Sequence, residues 1–182
     1  MANRVVIRMG HPTLKKVADL VTPEEIKSAE FMELVQDMYD TMKVEGGIGI
    51  AAPQINVSKQ ICLIEIPKDS KRYGTLAPQE LLVIINPIIK ILNHELQGFY
   101  EGCLSVPGLR GFVERPKSIQ VDYLNQYGEP QSIVANDFLA TVFQHELDHL
   151  FGKLYVERMT DLTQLSFIEE FDLFNKKEST IE

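Results

Sequence analysis

The chain has 182 residues and a formal net charge of −8, with a pI near 5.1; that length points to one domain, 1–182, with enough apolar residues for a real core. No basic footprint for DNA and no polybasic membrane patch is present, and the longest apolar runs, such as 81–85, are far too short to span a bilayer. The first residues carry neither a signal-peptide apolar stretch nor an Arg/Ser-rich transit segment, so the two cysteines, Cys62 and Cys103, are expected to be reduced thiols in a cytoplasm.

In chain order, His11-Pro12-Thr13-Leu14 reads as a turn leading into a short helix, with His11 on the surface. Thr22-Pro23-Glu24-Glu25 is a helix start: Thr22 caps, Pro23 takes the first position and Glu25 closes a capping box. Phe31, Leu34, Val35, Met38, Tyr39 and Met42 follow at helical spacing. The pattern predicts one amphipathic helix of about five turns, its Met/Phe stripe facing the core, ending at Gly46-Gly47. In 47–54, Gly-Ile-Gly-Ile-Ala-Ala-Pro-Gln, small residues stand wherever a backbone could approach something closely. The stretch lacks the Gly-Lys-Ser/Thr of a phosphate loop. It is either a turn and a buried strand, or a backbone wall of a site into which Gln54 presents its amide.

Strand signals fill the middle of the chain. Residues 60–66 place Cys62, Ile64 and Ile66 on one face, with Cys62 a small buried hydrophobe. Residues 67–78 are polar and read as an exposed loop. A strand over 81–86 continues as 88–92 after Pro87; Asn93-His94-Glu95 is predicted as a turn, with no role assigned to His94. A third strand, 96–100, delivers Glu101-Gly102-Cys103-Leu104-Ser105-Val106-Pro107-Gly108, stiffened by Gly and Pro. Residues 119–124 and 131–134 flank a turn at 125–128 and predict a hairpin. Asn136 or Asp137 can cap the next helix and Gly152 can end it. Its interior is apolar almost all round, as in a helix that runs through a core. A last amphipathic helix is predicted over 163–175.

The core helix carries Gln144-His145-Glu146-Leu147-Asp148-His149-Leu150. Four residues apart, His145 and His149 share a face and can reach one ion. Glu146, about 100° further round, is placed to touch a water on that ion rather than to ligate in line. His-Glu-x-x-His on a helix is a hydrolytic metal pattern, two nitrogen ligands and a general base. A surface helix with incidental histidines is the blander reading. The cost of burying two His, a Glu and an Asp without partners argues against such chance placement. Asp148 either faces solvent at a gap in the core or is buried and needs a cationic or hydrogen-bonding partner; Arg115, at the end of the strand leaving the Cys103 segment, is the candidate.

A catalytic ion of this kind takes three protein ligands and leaves one position for water. Glu169, twenty residues after His149, would complete a thermolysin-like zinc metalloprotease site. Cys103 would supply a thiolate instead. Cys62 and Cys103 together with the two histidines would close a structural zinc site with no water. Cys103 is favoured as third ligand, because Glu169 sits in an acidic, solvated stretch while Cys103 sits in a stiff one. The closed structural site would leave Glu146 buried without a task.

The motifs GIGIAAPQ at 47–54, EGCLS at 101–105 and QHELDHL at 144–150 resemble, in order and spacing, the three motifs of the peptide deformylase family. The resemblance covers most of the chain, and the helical ending is similar to the form typical of many bacteria. It implies that Cys103, His145 and His149 are the metal ligands and that Glu146 is the general acid/base. Gln54 and the backbone N–H of Leu104 become the oxyanion donors. The substrate becomes the N-formyl group of nascent peptides that begin with formyl-methionine. The implied metal is Fe2+, with Zn2+, Ni2+ or Co2+ able to replace it; the residues alone suggest zinc. The resemblance further implies a methionine pocket of Ile48, Gly49, Phe99, Glu101, Phe138, Thr141, Val142 and His145, with Arg110 on the peptide backbone beyond. It implies a monomer in transient contact with the ribosome. Between Asp161 and Glu182, however, six acidic residues face only Lys176 and Lys177, the wrong sign for docking on RNA by that segment. The expected fold is α+β: small, mostly antiparallel sheets around a central buried metal-binding helix, with a further C-terminal helix.

Overall fold

A computed structural model describes residues 3–68 and 78–174. The first helical region is two helices. The Thr22 capping box forms as expected, but it opens only a single turn, α1 (Pro23–Ile26). Ser28 then caps a second helix, α2 (Ala29–Val44), its hydroxyl accepting from Phe31 N. Two caps six residues apart cannot both sit inside one helix, so the chain bends between them. His11 is also a cap, its Nδ1 accepting from Thr13 N at the start of the short 3-10 turn Pro12–Lys15.

Six antiparallel strands follow: β1 (Gly49–Ala51), β2 (Ile61–Ile66), β3 (Gln79–Cys103), β4 (Val106–Leu124), β5 (Pro130–Asn136) and β6 (Leu165–Phe167). They join in the order β1-β2-β3-β4-β5, with β6 added on β4. The small sheets expected from the sequence are thus one continuous ladder. The predicted turn at 93–95 is not a turn. β3 runs through it for 25 residues, with register shifts around Asn93, because the facing stretch of β4 keeps pairing it on either side. Bulges of this kind absorb extra residues without ending a strand. The hairpin around 125–128 is as predicted, with Leu124 opposite Pro130. Most of the loop expected over 67–78 lies outside the described residues.

Two helices cover opposite faces of the sheet. β2 shows why: it is buried on both sides rather than one. Ile61 and Leu63 pack with Phe31, Val35, Met38 and Met42 of α2. Cys62 and Ile64 pack with Ala140, Phe143, Leu147 and Leu150 of α3 (Asp137–Leu150). Each helix buries its apolar face, so β2 between them needs no polar side, the α+β layering expected of such a pattern. The described residues end with β6 and α4 (Ile168–Phe174). The strand at 165–167 replaces the start of the predicted last helix, since those residues add to the edge of β4 at Leu109–Gly111. None of the described helices is long and apolar enough to cross a membrane.

The end of α3 is held tightly. Leu150 O accepts from Ala18 N at 2.8 Å. Gly152 has φ +71°, and a Cβ there would stand 2.6 Å from the backbone carbon of Lys15. Gly152→Ala is therefore expected to cost about 2–4 kcal/mol, combining left-handed strain with a backbone clash. Urea unfolding reads this directly; an unchanged midpoint would mean that the N-terminal segment yields freely.

Candidate metal centre

α3 presents His145 and His149 on one face, and β3 brings Cys103 to them at its last position. One ligand atom from each of the three lies within 4.8 Å of the others. The Cys103 Sγ to His149 Nε2 separation is 3.4 Å. His145 Nδ1 is 2.7 Å from Glu101 Oε2, which leaves Nε2 for an ion. The donor set of one thiolate and two imidazoles suits a borderline or soft divalent ion such as Zn2+, Fe2+, Ni2+ or Co2+. Among the described residues this is the group with metal-binding geometry. Glu169 is exposed near the start of α4 and is not part of it, and neither is Cys62, which is fully buried in the layer between sheet and α3. The thermolysin-like and closed-site readings therefore lose their third and fourth ligands.

The electrostatics favour a deprotonated sulfur. Burial alone would raise the Cys103 thiol, but the charge of His149 and the hydrogen bonds of both histidines outweigh it and bring it down to about 5. Burial works against a proton on His145, yet Cys103 and Glu101 hold its pKa well above the ordinary value. Glu146 is in the opposite situation. Its burial pushes the carboxyl up to about 7, against the pull of His145 and His149. Its Oε2 is buried and has no hydrogen-bond partner in the protein. A Cβ on Gly49 would stand 2.2 Å from its Oε1. The close approach expected of the 47–54 stretch is thus real, and its object is the Glu146 carboxylate.

Gln54 lies on a single 3-10 turn (Ala52–Ile55) after β1. Its Oε1 accepts from Ala51 N at 2.8 Å, which fixes the amide so that Nε2 points to Ser105 Oγ (3.2 Å) and Cys103 Sγ (3.5 Å). Leu104 sits in the two-residue turn between Cys103 and Val106, which face each other across the β3–β4 ladder. A cavity of about 380 Å³ opens beside these groups. Its walls include Ile48, Gly49, Phe138, Thr141, Val142 and Arg110. Phe99 is set behind the wall and meets Phe138 edge-on, ring centroids 5.3 Å apart. Glu101 reaches the cavity, but both of its oxygens are engaged by Arg115 and His145.

The partner required for Asp148 is Arg115. Their Nη1–Oδ2 distance is 2.9 Å, and both residues are buried. The same guanidinium grips Glu101 in bidentate fashion, Nε to Oε1 at 2.6 Å and Nη2 to Oε2 at 3.0 Å. Arg158 adds a second cation to Asp148, its Nε 3.0 Å from Oδ2. Sequence reasoning missed Arg158 and the bracing role of Glu101. The cost of a lone buried carboxylate led to Arg115, but no spacing signal links 101, 115, 148 and 158. Tyr155, also unforeseen, lays its ring nearly parallel to that of His145, centroids 6.1 Å apart and planes 20° apart.

A family model described as polypeptide deformylase matches residues 3–165. A peptide deformylase of Leptospira biflexa is 38% identical over 176 residues, 97% of this chain and 98% of the relative. Among solved structures, a class I type b peptide deformylase from Acinetobacter baumannii with Met-Ala-Ser bound superposes with a TM-score of 0.82 at 38% identity, covering 87% of this chain and 99% of that one. A peptide deformylase from Legionella pneumophila gives 0.77 at 37% identity, covering 90% and 89%.

Breaking a buried ion pair from one side costs about 3–5 kcal/mol. Arg115→Ala is expected to lose stability of that order and to retain metal poorly, since two carboxylates are left buried and His145 loses the brace behind Glu101. Burial raises the carboxyls of Glu101 and Asp148, but the hydrogen bonds of His145 and of Arg158, with Arg115 beside both, hold each below its ordinary value. Their contribution is thus present above the ordinary carboxylate range and lost as pH falls through the lowered values. Melting curves of parent and variant should converge as the pH is lowered through that window. Equal melting temperature and metal content at neutral pH would mean that the pair does not brace the site.

Proposed function

The chain belongs to the peptide deformylase family, and on that premise we propose how its own residues divide the work. The family's reaction is metal-dependent hydrolysis of the N-formyl group from the formyl-methionine of newly made polypeptides, releasing formate. The observation that carries the residue assignment is the buried carboxylate oxygen of Glu146, without a hydrogen-bond partner in the protein, on the same cavity as Cys103 and His145, which with His149 form the donor group.

In the proposal, Cys103, His145 and His149 hold the ion, and the whole chain, 1–182, is one catalytic domain. When bound, a divalent ion acidifies water towards neutrality and polarises a carbonyl oxygen. Glu146 accepts the proton of the attacking water as oxygen bonds to the formyl carbon. It then delivers that proton to the amine nitrogen as the C–N bond breaks, leaving formate and a free amino terminus. Gln54 Nε2 and the backbone N–H of Leu104 donate to the oxyanion, each worth about 3–4 kcal/mol in the transition state. Gln54 suits this task because its amide is already oriented by Ala51 and does not reorganise during the reaction. Glu101, fixed by Arg115, orients His145, the outer support that metal-bound histidines need.

Ile48, Gly49, Phe138, Thr141 and Val142 form a mostly apolar wall suited to a thioether side chain. Glu101 and the Phe99 ring behind Phe138 back that wall. Arg110 is assigned to the peptide backbone that follows. The Acinetobacter relative has Met-Ala-Ser bound, which supports a methionyl peptide as the ligand class of this chain. Fe2+ is proposed as the native ion on the family resemblance; the donor set of one thiolate and two imidazoles accommodates it, as it does Zn2+, Ni2+ or Co2+. A monomer acting in the cytoplasm and meeting chains as they leave the ribosome is the accompanying proposal; that it binds neither DNA nor membrane is supported by the acidic net charge of −8.

Protein purified without oxygen should release formate from a formyl-methionyl peptide in proportion to its bound metal. Absence of formate from metal-loaded protein would defeat the reading. Glu146→Gln should keep its metal while turnover drops about 10²–10⁴-fold, the usual worth of a positioned acid/base; near-normal turnover would remove Glu146 from the mechanism.

The ligand assignment has its own test. Cys103→Ala should lose metal, measured by elemental analysis, and Glu169→Ala and Cys62→Ala should each retain it. A reversed pattern between Cys103 and Glu169 would return the site to the protease class.

A further inference from the structure

The cavity has wall residues that neither the chemistry nor the methionine side chain uses. Tyr100, Leu109, Arg110 and Ile168 are among them. Ile168 is the one that comes from the C-terminal segment, and its placement is built from both directions. Just before it, β6 pairs with β4, Leu109 opposite Phe167 and Arg110 opposite Ser166. Just after it, Phe171 of α4 is buried against Tyr100, ring centroids 4.6 Å apart. Its neighbours Phe167, Leu173 and Phe174 are exposed, whereas Ile168 is half-buried and turned to the cavity. Glu169 and Glu170 follow it directly and are exposed.

We infer that the C-terminal segment is a specificity wall: Ile168, with Tyr100, receives an apolar side chain from the residues that follow the methionine of the substrate. This deepens the deformylase reading and rests on it. The physical reason is contact area. An apolar side chain laid on Ile168 and Tyr100 leaves water, and each methylene so buried is worth about a fourfold gain in binding. An acidic side chain there gains nothing from the apolar wall. Arg110 on the same cavity is a cation, but it is assigned to the peptide backbone, and the exposed Glu169 and Glu170 that follow Ile168 add charge of the acidic side chain's own sign to the segment. The same placement gives this acidic segment a task at the pocket that requires no contact with RNA.

The test compares kcat/KM of the metal-loaded enzyme for formyl-Met amide, formyl-Met-Leu-Leu amide and formyl-Met-Asp-Asp amide. The parent should prefer Leu-Leu to Asp-Asp. In Ile168→Ala the ratio of Leu-Leu to formyl-Met amide should fall about 4–15-fold, mostly through KM, matching one to two methylenes of lost contact. In Ile168→Lys the ratio of Asp-Asp to Leu-Leu should rise about tenfold or more. A reversal of that kind cannot come from a poorly folded variant, which loses all three substrates alike. If both variants keep the parent's ratios, or lose activity equally on all three peptides, Ile168 is not a specificity residue and the inference is overturned. If the parent cleaves none of the three, the deformylase reading fails, and this inference fails with it.

Discussion

The structure depends on one buried guanidinium. Arg115, 4% exposed, stands between Glu101 on β3 and Asp148 on α3. An isolated charge in that position would be prohibitively unstable, so the guanidinium requires these carboxylates, which are held further by Arg158 on Asp148 and His145 on Glu101. The consequence is geometric. Cys103 is two residues from Glu101, and His149 is one residue from Asp148. Holding the two carboxylates on one planar fork therefore sets the distance between the sheet's ligand and the helix's ligands. The fork is what a lysine could not supply, since an ammonium is a single point charge without fixed directions.

The same economy of position governs the rest of the site. Most buried polar residues of α3 meet this network or the cavity, Gln144 instead donating to Pro116 O and Ala140 O, and its buried apolar residues pack on the sheet. β2, buried on both faces, lies between α2 and α3 and gives the metal helix a rigid floor. β1 and the turn after it bring Gln54 and the bare backbone of Gly49 up to the same point. The glycine matters because the Glu146 carboxylate occupies the space that any side chain would need. A buried carboxyl raised to about 7 can hold or release a proton near neutral pH, which is what an acid/base in hydrolysis must do. The N-terminal segment binds these parts from outside, Ile7 N donating to Gln54 O and Met9 N to Ser105 O, each at 2.8 Å.

Where the elements differ from expectation, the reason is competition between local and distant signals. Ser28 caps Phe31 N and opens α2 as a separate helix, although the periodicity from Phe31 onward reads as a continuation of the start at Thr22. Asn93-His94-Glu95 has the composition of a turn. It stays extended because Ser118 and Pro116, far along the chain, hold the flanking residues in register. Leu165-Ser166-Phe167 fits a helical pattern equally well, but the open edge at Leu109–Gly111 offers backbone hydrogen bonds that a helix start would leave unmade.

The sequence by itself determined whatever rests on local periodicity. Two histidines four apart on an apolar helix must share a face, and a glutamate between them must stand off to the side. A buried Asp148 must find a cation, and Arg115 could be chosen as that cation from the sequence. The three ordered motifs narrowed the chemistry further, to a cysteine in a stiff segment and a glutamine beside small residues. The preference for Cys103 over Glu169 as third ligand was legible in the sequence, but its meeting with the histidines is a tertiary fact: the end of β3 brings Cys103 into their group, while Glu169 stays exposed on α4. Tertiary structure also decided that Glu101 braces His145, that Arg158 joins Asp148, and that Ile168 closes the cavity. Contacts between residues so far apart are set by how strands pair and helices pack, and that leaves no periodic trace in the chain.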